Sequence, residues 1–235
     1  MSFLIGVSGA SSSGKTTVAI TLRDLFPGSV LIHQDDFYFP DEDIPFDEDL
    51  KEYDWDCPEA VNFDKLISVL HKFKESESYQ FTESSKEDPN SSLKVDSVCE
   101  AELKQLVGNT KLPRIVFVDG FLLYHNQKIL DLLDICLFYK TDYKTLKHRR
   151  EVRKYTIDAG IWTDPPGYFD KIVWPQYYKN HAQLFENAPE NEQQLKDNTA
   201  KLVNPKIKTF DNNDSTDFNQ LMLNTVTFIC NNLSL

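Results

Sequence analysis

Short apolar runs alternate along this chain with stretches of helical period. The run Phe3-Leu4-Ile5-Gly6-Val7-Ser8 predicts a buried strand that ends in a loop rich in Gly and Ser. From Lys15 to about Leu25, the residues Val18, Leu22 and Leu25 fall on one face and predict a helix. Ser29 to His33 predicts a second strand, and Asn62 to Lys74 a second helix with Leu66, Val69, Leu70 and Phe73 on its inner face. Ile115-Val116-Phe117-Val118, ending at Asp119-Gly120, and Ile135 to Tyr139 predict two further buried strands. Asp142 predicts the cap of a basic helix running to about Lys154. Two Pro-containing stretches follow, around Pro165-Pro166 and Pro175, and a strand near Ile207 to Phe210 with a helix from about Thr216 to Asn231 closes the chain. Strands alternating with helices predict an α/β fold in which a central, largely parallel sheet is flanked by helices. On such sheets, ligands bind at the carboxyl ends of the strands.

Composition narrows the picture. A chain of 235 residues that is 40% hydrophobic and 12% aromatic can bury one sizeable core, and a single domain over residues 1–235 is expected. Lys plus Arg total 25 against 37 for Asp plus Glu, a net charge of -12, which disfavours nucleic acid as a partner. Much of the excess lies between Asp41 and Glu59, where Lys51 is the lone cation. That stretch reads either as a solvated acidic loop or as a mouth favouring a cationic or hydroxyl-rich substrate. Glu75 to Asp96, dominated by Ser, Glu, Lys, Asp and Asn, reads as a surface insertion, flexible or a small hairpin. Cys57, Cys99, Cys136 and Cys230 lie far apart with no Cys-x-x-Cys pair, so a reducing compartment is expected rather than a disulfide framework or a zinc site. With no basic leader and no run of about 20 apolar residues, no membrane association is expected, and a cytoplasmic or also nuclear location follows.

The strongest chemical signal is Gly9-Ala10-Ser11-Ser12-Ser13-Gly14-Lys15-Thr16, which fits G-x-x-x-x-G-K-[ST] between a predicted strand and a predicted helix. Such a loop turns successive backbone N–H groups onto phosphate oxygens, and the helix start adds partial positive charge. Lys15 is expected to reach the β- and γ-phosphates and Thr16 to ligate Mg²⁺. Asp35 and Asp36 follow the second strand in Gln34-Asp35-Asp36-Phe37-Tyr38, where a carboxylate can take the proton of a substrate hydroxyl and lie near the metal. Asp119 ends an apolar strand, a costly place for a carboxylate unless it meets a cation or a donor, and is the second candidate metal acid. Trp55-Asp56 offers a stacking face beside a carboxylate, although Trp55 is also compatible with the core. The helix bearing Lys147, His148, Arg149, Arg150, Arg153 and Lys154 places three arginines on neighbouring faces, suited to a lid over a phosphoryl group in transfer.

Together these blocks resemble the nicotinamide riboside kinases, within the uridine kinase-like group of P-loop kinases. The resemblance rests on residues 9–17, Gln34 to Tyr38, Trp55-Asp56-Cys57-Pro58-Glu59-Ala60, Val118-Asp119-Gly120-Phe121-Leu122-Leu123, Arg149 to Tyr155, Pro166-Gly167-Tyr168-Phe169-Asp170 and Val173-Trp174-Pro175, in that order. It implies a P-loop NTPase-type three-layer fold with a lid, and transfer of a phosphoryl group from Mg-ATP to the 5′-hydroxyl of nicotinamide riboside for NAD synthesis. It also implies residue roles. Gly9 to Thr17 match the ATP loop, with Thr16 a Mg²⁺ ligand and Thr17 a further ATP contact. Asp35 matches the proton acceptor and approaches the metal, and Asp35, Asp36, Phe37, Tyr38, Trp55 and Asp56 match the riboside site. Arg150 matches a substrate contact, Arg149 and Arg153 ATP-facing lid residues, and Tyr155 and Thr156 the end of the lid near the substrate, with Tyr155 also on the ATP side. The chain departs from the family with Trp at position 55 where Tyr is common, Asp119 where Glu also occurs, and a longer stretch from Thr156 to Thr163. The residues alone leave two rivals open: a uridine or cytidine kinase, and a non-catalytic regulatory protein that senses ATP occupancy.

Overall fold

The apolar runs become strands because they are buried on both sides. The computed structural model describes residues 2–81, 93–153, 155–157 and 160–233, with 155–157 and 160–162 described by backbone alone. Strand β1 (Phe3–Gly9) leads into α1 (Lys15–Leu25) and then β2 (Val30–His33). A small antiparallel hairpin, β3 (Phe46–Asp47) and β4 (Glu52–Tyr53), interrupts the acidic segment before α2 (Phe63–Glu75). Next come α3 (Ser97–Gly108), β5 (Ile115–Gly120), α4 (Gln127–Leu132), β6 (Ile135–Lys140) and α5 (Tyr143–Glu151). A second antiparallel hairpin, β7 (Tyr155–Ile157) with β8 (Gly160–Trp162), takes up the longer stretch after Tyr155. The chain closes with α6 (Trp174–His181), α7 (Glu192–Lys196), β9 (Ile207–Asp211) and α8 (Phe218–Leu233).

Five strands form one parallel sheet in the order β2-β5-β1-β6-β9. Alternation along each strand builds two cores. Ile5, Val7, Leu31, Phe117, Leu137 and Tyr139 pack beneath α1, α3 and α8. Leu4, Ile32, Val116, Val118, Cys136 and Phe138 face the opposite way, against α2, α4 and α6. The result is the expected three-layer fold. It sets the ends of β1, β5 and β2 side by side.

Several elements differ from the sequence expectation. The basic helix α5 stops at Glu151 rather than near Lys154, because nothing apolar continues its inner face: Leu146 is buried, whereas Val152 is 63% exposed. Helix α3 is absent from the sequence expectation, although Asp96 caps it through the N–H groups of Val98 and Cys99, and Cys99, Leu103 and Val107 recur every fourth residue against the core. The stretch around Pro175 is helical, with the proline in the first turn of α6, where its missing N–H costs nothing. Of the segment 75–96, residues 82–92 lie outside the described residues. Its near flank is held to the body, since the Arg114 guanidinium donates to the carbonyls of Ser76, Glu77 and Tyr79 and Phe81 stacks on Phe37 at 5.9 Å.

Candidate functional site

The phosphate loop leaves β1 through Gly9 and enters α1 through Gly14, and both glycines are required. At Gly9 (φ +152°) a Cβ would lie 2.5 Å from the Tyr139 carbonyl oxygen, and at Gly14 (φ +84°) 2.5 Å from the Asn212 amide nitrogen. That amide nitrogen donates to the Ser13 carbonyl at 2.7 Å, so the segment after β9 clamps the loop from outside. Ser12 also takes a positive φ of 66°, and Ser13 N donates to Ala10 O at 3.1 Å, closing the loop on itself. Helices α2, α3, α4 and α5 each begin with a side-chain cap, from Asn62, Asp96, Asn126 and Asp142. Helix α1 has none, so its first-turn N–H groups are left for an anion. Lys15 is buried at this helix start, with Thr16 and Thr17 half-buried beside it.

Asp35 and Asp36 lie in a single 3₁₀ turn, Gln34–Phe37, directly after β2. The turn separates the two: Asp35 is exposed, Asp36 is half-buried, and Gln34 and Phe37 anchor the turn in the core. The Gln34 amide oxygen accepts from Leu122 N at 3.0 Å, tying the turn to the segment after β5. Asp119 pairs in register with both Val7 on β1 and His33 on β2, which places it at the carboxyl edge between phosphate loop and Asp35. It is 4% exposed, and the His33 ring nitrogen Nδ1 lies 3.0 Å from its Oδ2. Burial alone would lower the His33 pKa; the hydrogen bond and charge of Asp119, with the charges of Asp35 and Asp36, outweigh it and leave it raised. The other oxygen, Asp119 Oδ1, is buried with no hydrogen-bond partner among the described residues. No group of three or more His, Cys, Asp or Glu side chains among the described residues is arranged to hold an ion alone. The unpartnered Asp119 Oδ1 fits a divalent metal that takes one or two carboxylates and completes its shell with water and substrate phosphates.

Arg150 joins the phosphate loop to the acceptor side. It donates to Ser11 Oγ at 2.6 Å and to Asp164 Oδ2 at 2.6 Å, and its guanidinium lies 3.6 Å from Asp56 Oδ2. Asp56 is 6% exposed. Burial pushes its pKa up, Arg150 pulls it down, and the charges of Asp54, Asp164 and Asp35 add to the rise, giving about 6. Tyr38 donates its hydroxyl proton to Trp55 O at 2.9 Å and meets the indole edge-on at 5.4 Å. Trp55 is half-buried, so its ring is not sealed in the core. Tyr168 donates to Tyr53 O at 2.8 Å, and Gln176 donates to Asp54, whose other oxygen accepts from Asp56 N at 3.0 Å. The Trp55-Asp56 segment is therefore braced at once by Tyr38 beyond the 3₁₀ turn, by Tyr168 and by α6.

Arg149 faces elsewhere. It donates to Asn212 O at 3.0 Å and to Asp214 Oδ1 at 2.9 Å, on the segment after β9. Adjacent residues on a helix diverge by about 100°, so Arg149 and Arg150 serve the two sides of the cleft. Arg153 lies beyond the end of α5, so the three arginines do not share neighbouring faces of one helix as expected. The side chains of Tyr155 and Thr156 lie outside the described residues, although their backbone forms β7. Among the residues of the site that sequence reasoning passes over are His33, Asp54, Asp164 and Gln176. Asp164 precedes Pro165-Pro166 and His33 precedes Gln34-Asp35, but neither carries a motif of its own.

This arrangement has counterparts. The family model described as Phosphoribulokinase / Uridine kinase family matches residues 4–156. The nicotinamide riboside kinase of Schizosaccharomyces pombe is 38% identical over 87% of this chain and 86% of its own length. That of Saccharomyces cerevisiae is 36% identical over 91% of this chain and 89% of its own. Nicotinamide riboside kinase 1 of Homo sapiens is 30% identical over 77% and 78%. With a matched family model over the phosphate loop and acceptor segment, and relatives this similar along most of both chains, the chain belongs to the phosphoribulokinase / uridine kinase family, among the nicotinamide riboside kinases.

Proposed function

We propose that this kinase transfers the γ-phosphoryl group of ATP to the 5′-hydroxyl of nicotinamide riboside, and of nicotinic acid riboside, forming the mononucleotide for NAD synthesis. The observation that carries the reading is Arg150, which contacts Ser11 in the phosphate loop and the Asp56 and Asp164 carboxylates at once. Those contacts support reading the Asp56 segment as the acceptor wall beside the phosphate loop. Kinases of this family use ATP with a divalent metal; here Mg²⁺ would be held by Thr16 and Asp35 and, directly or through water, by Asp119, where it would draw charge from the phosphate oxygens. The phosphate-loop amides and Lys15 stabilise the transferring group, with Arg149 and Arg153 on the ATP side. Asp35 accepts the 5′-hydroxyl proton as the new O–P bond forms and the bond to the ADP oxygen breaks. Asp56 and Arg150 hold the ribose, with Asp36 and Phe37 in the turn that carries Asp35, and Trp55 and Tyr38 flank the base. By the resemblance, Tyr155 and Thr156 belong to the substrate end of the lid, with Tyr155 also on its ATP side.

Asp56 and Asp164 flank the single Arg150 guanidinium, and Asp54 lies close enough to add its charge to theirs. This excess of negative charge suits the cationic nicotinamide riboside. All four cysteines are free and buried, which supports a reducing, cytoplasmic or nuclear setting. No helix among the described residues is long and apolar enough to cross a membrane. The test is a comparison of kcat/KM for nicotinamide riboside, nicotinic acid riboside, uridine and cytidine with Mg-ATP. The pyridine ribosides should exceed both pyrimidine nucleosides by more than about tenfold, or about 1.4 kcal/mol of transition-state discrimination. A uridine or cytidine preference would overturn the pyridine reading, and ATP binding without riboside-stimulated turnover would favour a nucleotide sensor.

A further inference from the structure

His33 and Asp119 are register partners on the neighbouring parallel strands β2 and β5, so their side chains leave the same face of the sheet. Both are almost fully buried, at 5% and 4% exposure. An ionised carboxylate only accepts hydrogen bonds, so at 3.0 Å the His33 Nδ1–H is the donor and Asp119 Oδ2 the acceptor. The contact pins one carboxylate oxygen and with it the rotation of the group. The second oxygen, Oδ1, is left buried with no hydrogen-bond partner among the described residues. A buried polar atom in that state is costly, and such a cost is retained where the bare atom has a use.

We propose that His33 is a positioning residue for the metal–nucleotide complex: its Nδ1–H locks the Asp119 carboxylate so that Oδ1 is presented to the hydration shell of Mg²⁺. The inference rests on the reading of Asp119 as the metal-side acid. Mg²⁺ tolerates little departure from octahedral geometry, so a carboxylate free to rotate is a poorer partner than one held at a single angle. Loss of such an outer partner typically lowers metal affinity about 10- to 100-fold. His33 is also continuous with the turn that carries Asp35, so the same strand end sets both the proton acceptor and the orientation of the metal acid.

Two conservative variants separate positioning from packing. His33→Asn places its amide near the Nδ1 position and keeps a donor for Asp119. His33→Gln places its amide near the Nε2 position and removes that donor. Calorimetry with a non-hydrolysable ATP analogue gives Kd in excess Mg²⁺ and in EDTA for the wild type, both variants and Asp119→Asn, with thermal unfolding recorded for each. The wild type should bind more tightly with Mg²⁺. His33→Gln should lose about tenfold or more of that tightening with its EDTA value unchanged, whereas His33→Asn keeps it to within about threefold. Loss of tightening in Asp119→Asn with wild-type behaviour in His33→Gln would overturn the role of His33 and leave the metal acid standing. Full tightening in Asp119→Asn would instead overturn the metal reading of Asp119. Equal losses with and without Mg²⁺ in both His33 variants would show a packing role and overturn the proposal.

Discussion

At Asp56 burial and a neighbouring cation act in opposite directions, and burial wins. Burial raises its pKa, the Arg150 guanidinium opposes the rise, and the value of about 6 falls close to working pH. A carboxylate that holds ribose hydroxyls through its ionised form loses its charge and part of its acceptor capacity below its pKa. The kcat/KM for nicotinamide riboside is therefore expected to fall as pH drops through about 6, and a pH–rate profile of Asp56→Asn should be flatter over that interval and lower above it. At this scale the sequence is informative wherever a residue's chemistry is announced by its neighbours. Lys15 and Thr16 follow from the glycine spacing, and Asp35 and Asp119 from carboxylates placed at strand ends. His33 is not legible, because its partner lies 86 positions away and only the β2–β5 register brings the two together. Asp164 is silent for a similar reason. Its meaning comes from Arg150, across a hairpin whose path the sequence does not specify.

At the level of elements, the phosphate loop shows how local conformation and a distant contact fix one shape together. Gly14 ends the loop in the left-handed region, and the Asn212 amide occupies the space a side chain would need. Gly14→Ala therefore meets both a backbone penalty and a clash. It should destabilise the protein by about 1–3 kcal/mol in denaturant unfolding and weaken ATP binding measured separately. The five strands of the sheet and the helices α1, α2 and α8 are readable because their apolar positions recur with one clear period. Helix α3 is not, since Cys99, Leu103 and Val107 form a narrow stripe among charged residues next to a polar segment. The sequence overextends α5 because basic residues continue past its end. Charge at a helix C-terminus is favourable, but it does not by itself extend a helix whose buried face has run out.

Over the whole molecule, a net charge of -12 surrounds a site that must admit anionic ATP on one side and a riboside on the other. The acidic segment carries Trp55 and Asp56, the proposed riboside contacts, whereas Lys15 and the Arg150–Ser11 contact lie at the phosphate loop. A field divided in this way is expected to help a cation enter and to be screened by salt. The KM for nicotinamide riboside should rise with ionic strength between about 0.05 and 0.3 M, where the Debye length shortens below about 10 Å, while the KM for uncharged uridine stays level in the same assays. The contact between Asn212 and Ser13 has a further consequence for how the chain can be divided. The family model ends at residue 156, yet the outer wall of the ATP loop is supplied by the edge strand β9 and the turn beyond it. A fragment cut to the recognisable region would carry every letter of the motif and lack the buttress that gives it shape. The nucleotide cradle is a property of the completed sheet, closed only when the last strand docks.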